Sequence, residues 1–489
     1  MPSASLETVR QRRRGVRVTP LLFFLALVAG LLGISEKLLQ DPDTQWHIAV
    51  GRWIWGTRSV PWSDVFSHTL TGANWIAKEW LSQLIFYGAF VAAGWLGVAA
   101  LTAIVIAASF AFLFHWLRSR INSTAALVLA GLAFDLATTS MLARPQVLVL
   151  PILILWTAGL VEAGARGSPP WRLVALMTLW ANLHGSFTIG FVLAGILALE
   201  AMLGVPRQQR PAAALRWSAF LALIVLAACA TPYGYHSMWV TATFLSSGGE
   251  SLKYIDEWQP LRFYWIGILA YGMLLFLLLI LALRPRENLF RIIVVVLVGY
   301  MMLRHQRFAS LFAIVAPMVT VGPLAGHFPS LSPSLPERRT DLLPRLAATG
   351  LLLTALGIGL LKSHEPSSST TPAAALRAVR ALGIAGPVYN DYDFGGFLIS
   401  QGVATFIDGR TELFFGGFIS GLDAALSAAD GTAFAALLDS RGVTWALVKP
   451  DSNAIRHFKA LPGWRRTYGD ETAVVYIRQN RADRPGTEN

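Results

Sequence analysis

The 489-residue sequence is poor in charged residues and contains a single cysteine. Asp, Glu, Lys and Arg make up 14% of it, against about 25% in soluble domains, whereas 54% of its residues are hydrophobic. So little charge excludes an ordinary soluble domain and predicts a polytopic membrane protein. Cys229 lies within an apolar run, so an internal disulfide and a cysteine-based zinc site are both excluded.

The sequence also lacks the short motifs of several enzyme classes. It has no Gly-Lys-Ser or Gly-Lys-Thr phosphate loop, which argues against an ATP-driven transporter subunit. His364-Glu365 lacks the spacing of a zinc-protease helix, and no Gly-x-Ser-x-Gly nucleophile elbow occurs. The net charge of +12 comes from short arginine clusters between apolar runs, which suit anionic lipid headgroups better than nucleic acid.

Apolar runs long enough to cross a membrane occur at eleven places. We place them near residues 19–38, 80–95, 98–117, 124–141, 146–163, 174–204, 217–231, 262–283, 288–303, 308–326 and 345–362. The first run follows an arginine cluster at 10–17 and has no cleavage pattern, which predicts a signal anchor with a cytoplasmic N-terminus. An odd number of spans then places the loop 39–79 and everything after residue 363 on the outer side.

Other arginines test this orientation, because positively charged loops stay in the cytoplasm. The prediction places inside the arginines at 207, 210 and 216, at 284, 286 and 291, and at 338, 339 and 345, in agreement with the rule. It places outside, against the rule, the arginines at 118, 120, 166 and 172. The conflict therefore lies in the boundaries of spans two to five.

The composition changes after residue 363. Residues 363–374 form a polar Ser, Thr and Pro linker, and residues 375–489 have ordinary charge density. Short apolar bursts predict buried strands at Pro387–Tyr389, Ala404–Ile407, Thr444–Val448 and Ala473–Ile477, and a helical pattern covers Ala433–Ser440. We therefore predict an α-helical transmembrane module over residues 1–362 and a small extracytoplasmic α/β domain over residues 375–489.

Asp41 and Asp43 lie where the chain leaves the first span, in the segment Asp-Pro-Asp-Thr-Gln-Trp-His. Ionisable residues at a membrane edge are costly to keep there, which indicates function. Pro42 favours an extended Asp41, and residues two apart in an extended chain point to the same side. Both carboxylates can therefore face one substrate, as a general base or as a base sharing Mg²⁺ or Mn²⁺ with its neighbour. Capping of the following helix is the structural alternative.

The predicted topology brings other polar residues at span ends to the same side of the membrane. Together they contain an acid/base group and a cationic group, and cations suit an anionic phosphate leaving group. The set comprises His47, Lys78, Glu79, Asn182, His184, Tyr233, His236, Lys253, Asp256, Glu257, Arg304, His305 and Arg307.

Several segments resemble bacterial integral-membrane glycosyltransferases of the C type, relatives of the protein mannosyltransferases that use polyprenyl-phosphate sugars. The segments are Asp41–His47 with Gly51–Ile54, Lys78–Leu81, Arg144-Pro145-Gln146, Trp180–Gly185, Glu257-Trp258-Gln259-Pro260, Asn390–Gly396 and Asp408-Gly409-Arg410. The resemblance implies the multi-helix GT-C fold, a polyprenyl-phosphate sugar donor, single displacement with inversion, and an aspartate of the first outer loop as base.

We assign expected roles on this basis. The expected catalytic residues are Asp41, Asp43, His47 and Glu79; the donor-phosphate residues are Arg304, His305, Arg307 and Lys78; the substrate residues are Asn182, His184, Tyr233, Glu257 and Trp258. The expected sugar is a hexose or a pentose, the acceptor is a lipid, a glycan or a protein, and nucleic acid takes no part. The expected location is the bacterial cytoplasmic (inner) membrane, with the C-terminal domain periplasmic or extracellular.

Two other functions remain open at this point. A transporter or flippase for a lipid-linked or anionic substrate also needs intramembrane charge, but its charged residues should line the helix interiors and both mouths. A membrane assembly protein that recruits a partner through its outer domain predicts that the loop carboxylates are dispensable. The concentration of charge in outer loops favours the enzyme.

Overall fold

The computed structural model describes residues 18–247, 256–261, 265–333, 342–414 and 417–479. The predicted cytoplasmic arginines at 10–17 and 338–339, and Lys253, lie outside these residues. The first part of the chain is helical: α1 (Pro20–Gly33), α2 (Ser35–Leu38), α3 (Asp43–Thr57), α4 (Trp80–Arg118), α5 (Ser123–Ala137), α6 (Pro145–Leu148), α7 (Leu150–Arg166), α8 (Leu173–Leu183), α9 (Phe187–Gly204), α10 (Arg210–Ala228), α11 (His236–Ser247), α12 (Trp265–Ala282), α13 (Leu289–Arg304), α14 (Ala309–His327) and α15 (Leu342–Leu361).

The helical part has the length and apolarity of a membrane-spanning bundle. Among the described residues, seven helical stretches are long and apolar enough to cross a membrane, and α1, α8 and α12 are shorter apolar helices. One continuous apolar core joins α1 to the far helices α13 and α14. Together with a small C-terminal sheet, this architecture confirms the predicted fold class.

The helices between residues 80 and 204 test the predicted span boundaries. The division between spans 80–95 and 98–117 is present, because α4 contains two helices that meet at Ala93 and Gly94, where the backbone angles are not helical. The predicted span 174–204 is two helices, because His184 adopts an extended conformation that ends α8. Helix α9 then packs back along α8, with Trp180 and Met177 against Gly190.

Contacts between turns of the bundle locate the arginines at 118, 120, 166 and 172. The turn after α7 reaches the end of α9, where Gly167 lies against Val205. The turn after α4 meets the end of α14, since the Asn122 N–H donates to the Leu331 carbonyl at 2.6 Å. The expectation that these four arginines lie opposite Arg207 and Arg210 is therefore wrong: all of them occupy one end of the bundle.

The C-terminal part is an α/β domain. Its elements are α16 (Ala373–Ala381), β1 (Val388–Asn390), α17 (Gly395–Ser400), α18 (Phe418–Ser427), α19 (Thr432–Ser440), β2 (Trp445–Val448), α20 (Ala454–Ala460), β3 (Trp464–Gly469) and β4 (Val474–Arg478). The strand order is β1-β2-β4-β3, with β1 and β2 parallel and the other pairs antiparallel. Apolar helices and strands close this domain around two further buried clusters.

The apolar bursts predicted three of the four strands and the helix α19. The predicted strand at Ala404–Ile407 is wrong: Thr405 makes one isolated bridge to Ser67 of the first outer loop. The strand β3 was missed because it lies at the sheet edge, where its sequence is largely polar and exposed.

A buried ion cluster joins residues 39–79 to the C-terminal domain. After the topology expected from the sequence, we call these two parts the first outer loop and the outer domain. The Arg410 guanidinium contacts Asp64 at 2.5 Å and Asp408 at 2.7 Å, and all three side chains are fully buried. Next to it, the Thr69 hydroxyl donates to the Phe406 carbonyl at 2.7 Å. The outer domain therefore rests on the loop that carries Asp41 and Asp43.

Candidate active site

Asp41 and Asp43 occupy the start of α3. Asp41 accepts the Asp43 N–H at 2.8 Å, so it satisfies one of the free N–H groups of the first turn, as the capping alternative expects. Its carboxylate has a second role, however, because both aspartates also contact the guanidinium of Arg144. Capping alone therefore does not explain the pair.

Arg144 is the centre of a charged cluster that joins three parts of the chain. It precedes Pro145 with an extended backbone, which directs it away from α6. Its Nε contacts Asp41, its Nη2 lies 3.0 Å from Asp43 Oδ2, and its Nη1 contacts Glu257. Glu257 also binds Arg307, with Nη1 2.9 Å from Oε1. Three carboxylates thus face two guanidinium groups.

Of the three carboxyl groups, that of Asp43 has the pKa and the exposure that best suit proton transfer. Burial raises the pKa of Asp43 to about 8, opposed by Arg144, and the neighbouring charge of Asp41 raises it further. Burial also raises the pKa of Asp41. Burial works against ionisation of Glu257 as well, but Arg144 and Arg307 together outweigh it and lower its pKa. The Asp43 side chain is 13% exposed and that of Asp41 is 1% exposed, so Asp43 is the more accessible carboxylate.

A second acid/base group adjoins this cluster. Glu79 lies 3.2 Å from His184 Nε2 and 3.9 Å from His47 Nε2. The Ser186 N–H donates to His184 Nδ1 at 3.1 Å, and the Ser186 hydroxyl lies 2.8 Å from the same atom. Since a backbone N–H can only donate, Nδ1 must be the unprotonated nitrogen. His184 is therefore the neutral tautomer with its proton on Nε2, the nitrogen that lies 3.2 Å from Glu79.

Burial favours the uncharged form of both Glu79 and His184. It raises the pKa of Glu79 to about 7 and lowers that of His184 to about 3. Burial likewise lowers the pKa of His47. The pair is therefore a carboxyl group that titrates near neutral pH, oriented by a histidine that stays uncharged.

Residues of the outer domain form one side of the site, next to Asp43 and Lys78. Gly409 lies so near Asp43 that a Cβ at this position would stand 1.8 Å from Oδ1, and a Cβ at Gly396 would stand 2.0 Å from the Pro42 carbonyl oxygen. Glycine is needed at both positions because the outer domain approaches α3 at backbone distance. Glu412 of the same domain lies 3.6 Å from the Lys78 ammonium.

These groups surround a cavity of about 1090 Å³. Its wall combines ends of α7, α8, α9 and α14 with the first outer loop and the outer domain, including Tyr392, Lys449 and Asn453. The charged residues of the wall come from segments between the bundle helices and from the outer domain. A cavity of this size holds a sugar phosphate with part of an acceptor.

The structure brings most of the predicted site residues together. Those that line the cavity are Asp41, Asp43, His47, Lys78, Glu79, His184, Glu257, Trp258 and Arg307. Arg307 also stacks over the Trp258 ring, 4.3 Å from its centroid.

Four predicted residues lie outside the cavity wall. Asn182 accepts the Trp80 indole N–H at 2.8 Å and donates to two backbone carbonyls. The Tyr233 hydroxyl donates to the Pro61 carbonyl at 2.8 Å, so it supports the outer loop. His305 contacts the Trp258 carbonyl at 2.5 Å, behind the wall. Arg304, at the end of α13, is exposed.

The sequence assigned no role to three wall residues: Arg144, Tyr392 and Glu412. A signal for Arg144 was present, because an arginine followed by proline at the end of an apolar span is one of the segments that carry the resemblance. Tyr392 likewise lies in the resembling segment Asn390–Gly396. Glu412 gave no comparable signal, since its place depends on how the outer domain docks.

No protein-family model matches this sequence, and neither does any curated protein. Solved structures are similar in fold. The oligosaccharyltransferase of Archaeoglobus fulgidus matches with a TM-score of 0.51 and 12% identity, over 87% of this chain and 69% of that one. ArnT of Cupriavidus metallidurans bound to undecaprenyl phosphate matches with a TM-score of 0.52 and 14% identity, over 95% of this chain and 98% of that one. The chain therefore has the GT-C fold of these membrane glycosyltransferases.

Proposed function

We propose that this protein is a membrane glycosyltransferase that moves a sugar from a polyprenyl-phosphate donor to an acceptor hydroxyl. The observation that carries the proposal is the composition of one cavity wall: the loop carboxylates Asp41 and Asp43 face the same space as the cations Lys78 and Arg307. The GT-C fold supports it, and one structural neighbour, ArnT, binds undecaprenyl phosphate. The nature of the sugar, a hexose or a pentose, is left open.

Asp43 serves as the general base in this mechanism. It accepts the proton of the acceptor hydroxyl while the acceptor oxygen forms its bond to the anomeric carbon. The bond from that carbon to the phosphate oxygen breaks, and its electron pair goes to the oxygen. The polyprenyl phosphate therefore leaves as an anion, and the configuration at the anomeric carbon is inverted. A base works best with a pKa near the operating pH, which favours Asp43, with its pKa of about 8, over the enclosed Asp41.

The departing phosphate is assigned to Arg307 and Lys78. Both cations line the cavity, and both are held by a carboxylate, Glu257 for Arg307 and Glu412 for Lys78. Cations fixed before the reaction stabilise charge as it develops, which lowers the barrier without reorganisation. Of the four residues expected in this role, Lys78 and Arg307 keep it, and Arg304 and His305 are left out because they do not line the cavity.

The cavity faces the outside of the bacterial cytoplasmic membrane in this proposal. The arginines of the turns after α4, α7 and α9 gather at the end of the bundle remote from the cavity, as the positive-inside rule requires of the cytoplasmic end. The α/β domain that closes the cavity is then periplasmic or extracellular. The acceptor, whether lipid, glycan or protein, enters between this domain and the helix ends.

Transfer with purified protein tests the proposal. Protein in lipid nanodiscs is given an undecaprenyl-phosphate sugar and a mixed pool of envelope acceptors, and release of undecaprenyl phosphate is measured. Asp43→Asn should lower the rate by about 100- to 10,000-fold, which is the usual contribution of a general base. Folding should stay intact, because the amide oxygen of the asparagine can still accept a hydrogen bond from Arg144. Asp423→Asn, at a partly exposed aspartate away from the cavity wall, is the matched control.

Two outcomes would count against the enzyme. Asp43→Asn with wild-type turnover would remove the base from the mechanism. Movement of the intact lipid-linked sugar across a vesicle membrane, without release of the lipid phosphate, would establish the transporter alternative. The concentration of charged wall residues between helices, and not within them, favours the transferase.

A further inference from the structure

Arg144 uses its whole guanidinium group on carboxylates that come from separate parts of the chain. Its Nε and Nη2 contact the two aspartates of the first outer loop, and its Nη1 contacts Glu257, which belongs to a turn more than a hundred residues later. A planar fork with several donors suits such a convergence, whereas a single ammonium group does not. The three carboxylates are thus arranged around one fixed cation of the chain.

The same contacts decide whether a divalent cation fits between Asp41 and Asp43. Mg²⁺ demands near-octahedral oxygen ligands and is usually held through one or two carboxylates, together with waters and substrate phosphates. Five of the six carboxylate oxygens here are already occupied: those of Asp41 by Arg144 and the Asp43 N–H, those of Glu257 by Arg144 and Arg307, and Asp43 Oδ2 by Arg144. Among the described residues, no group of three or more His, Cys, Asp or Glu side chains forms a metal-binding set.

A metal ion at this place would also stand against a guanidinium that is held from three sides. Like charges at such a distance repel strongly where water is largely excluded, and Arg144 is only 14% exposed. The residues present therefore do not fit the Mg²⁺ or Mn²⁺ that the paired aspartates had left open.

We propose that Arg144 occupies the cation position of this active site, and that the transferase works without a divalent metal. The inference rests on the proposed function, which it deepens. Arg144 is a positioning residue: it balances the charge of Asp41 and Glu257 and turns the Asp43 carboxylate toward the cavity, where the acceptor proton is taken up. Removing its side chain should uncover the carboxylates and create a site for a divalent ion.

Binding of Mn²⁺ tests the inference independently of transfer. Protein in nanodiscs of neutral lipid is treated with EDTA, exchanged into metal-free buffer and titrated with Mn²⁺, and free Mn²⁺ is followed by electron paramagnetic resonance. Empty nanodiscs correct for lipid binding. The wild type should bind no Mn²⁺ at this site, Arg144→Ala should gain one equivalent, and the double variant Arg144→Ala/Asp43→Asn should lose it again.

A folded Arg144→Ala protein that gains no Mn²⁺ would overturn the inference, as would a wild type that binds one equivalent which Asp43→Asn removes. If Arg144→Ala does not fold, the wild type still decides: turnover lost in EDTA and restored by Mg²⁺ or Mn²⁺ refutes the inference, and turnover unchanged in EDTA supports it. Because Mn²⁺ binding needs no sugar donor, a protein that binds as expected but transfers nothing would contradict the proposed function alone.

Discussion

Arg410 and Arg144 each hold carboxylates brought from distant parts of the chain, but their surroundings differ. Arg410 with Asp64 and Asp408 is completely enclosed between the first outer loop and the outer domain. Arg144 with Asp41 and Asp43 lines a cavity and keeps part of its surface accessible. Both clusters have more carboxylates than their central arginine neutralises.

The two clusters differ in which of their groups has a shifted pKa. Around Arg410, burial disfavours its charged form, but Asp408 and Asp64 outweigh burial and raise its pKa, so the cluster stays ionised and holds two regions together. Around Arg144, burial raises the pKa of Asp43 to about 8, with a further contribution from the charge of Asp41 and against the opposing effect of Arg144, which leaves a carboxyl group able to exchange its proton near neutral pH. Enclosure makes an arginine cluster structural, and an open side makes one available for chemistry.

The largest expected effect follows from removing the enclosed arginine. Arg410→Ala leaves Asp64 and Asp408 as uncompensated buried charges, and breaking such a pair costs about 3–5 kcal/mol. The thermal midpoint of the purified protein should fall, and limited proteolysis should cut the outer domain at lower temperature. Arg377→Ala, at an exposed arginine of α16, is the control and should change stability by less than about 0.5 kcal/mol. Equal stability of the two variants would contradict the structural role.

Substitutions in the cluster around Arg144, which lines the cavity, should change the rate of transfer and not the stability of the protein. Arg307→Lys keeps the charge but loses the planar two-point grip on phosphate, so turnover should fall by about 100- to 1,000-fold, by analogy with oxyanion-hole donors. Its thermal midpoint should stay near that of the wild type. Arg304→Lys changes an exposed arginine three residues earlier and should leave turnover unchanged. A loss in Arg304→Lys and none in Arg307→Lys would reverse the assignment.

A smaller effect is expected where the outer domain touches the base. The Cβ introduced by Gly409→Ala would meet Asp43 Oδ1, so the carboxylate must shift by an ångström or more. Misplacement on that scale can cost about 100-fold in rate. Gly421→Ala, in α18, adds a Cβ with nothing within 4 Å and serves as the control. Donor turnover in nanodiscs measures both; equal rates would show that the outer domain does not set the position of Asp43.

The smallest effect concerns pH. A base with a raised pKa acts in its deprotonated form, so turnover should rise with pH through the neutral range toward the pKa of Asp43, about 8. Asp41→Asn removes the neighbouring negative charge that contributes to this raised value. The ascending limb of the pH–rate profile should therefore move to lower pH in this variant. A limb that stays in place, or moves to higher pH, would show that Asp43 is not the titrating group.

Composition and apolar patterning predicted the helical bundle and most of the sheet, because these depend on local burial. The single span predicted over 174–204 failed for a physical reason: continuous apolarity does not reveal where the backbone leaves the helix. The break at His184 occurs inside a run that is apolar on both sides, whereas the break at Ala93–Gly94 lies near the predicted division between two spans. The arginines that violated the positive-inside rule were the signal that the boundaries needed correction.

Site residues that lie at the ends of spans could be predicted from the sequence. Residues whose place depends on contacts between distant parts of the chain could not. The carboxylates at 41, 43 and 79 and the cation Arg307 could be brought together from topology alone. The position of Arg144 between three carboxylates could not, because it depends on side-chain directions at the ends of α5 and α6. Asn182 and Tyr233 were expected in the site because they are polar residues at span ends. As buried polar groups they instead find partners in the indole of Trp80 and the backbone of the outer loop.

The link between Asp64 and Arg410 also has a consequence for biosynthesis. The two residues are 346 positions apart, so at about 5–20 residues per second the ribosome delivers Arg410 roughly 17–70 seconds after Asp64. During that interval the loop with Asp41 and Asp43 has already left the ribosome but lacks the domain that closes over it. A nascent or prematurely terminated chain therefore carries the carboxylates without the enclosed cavity, whose wall is complete only after the chain has been made as far as Asn453.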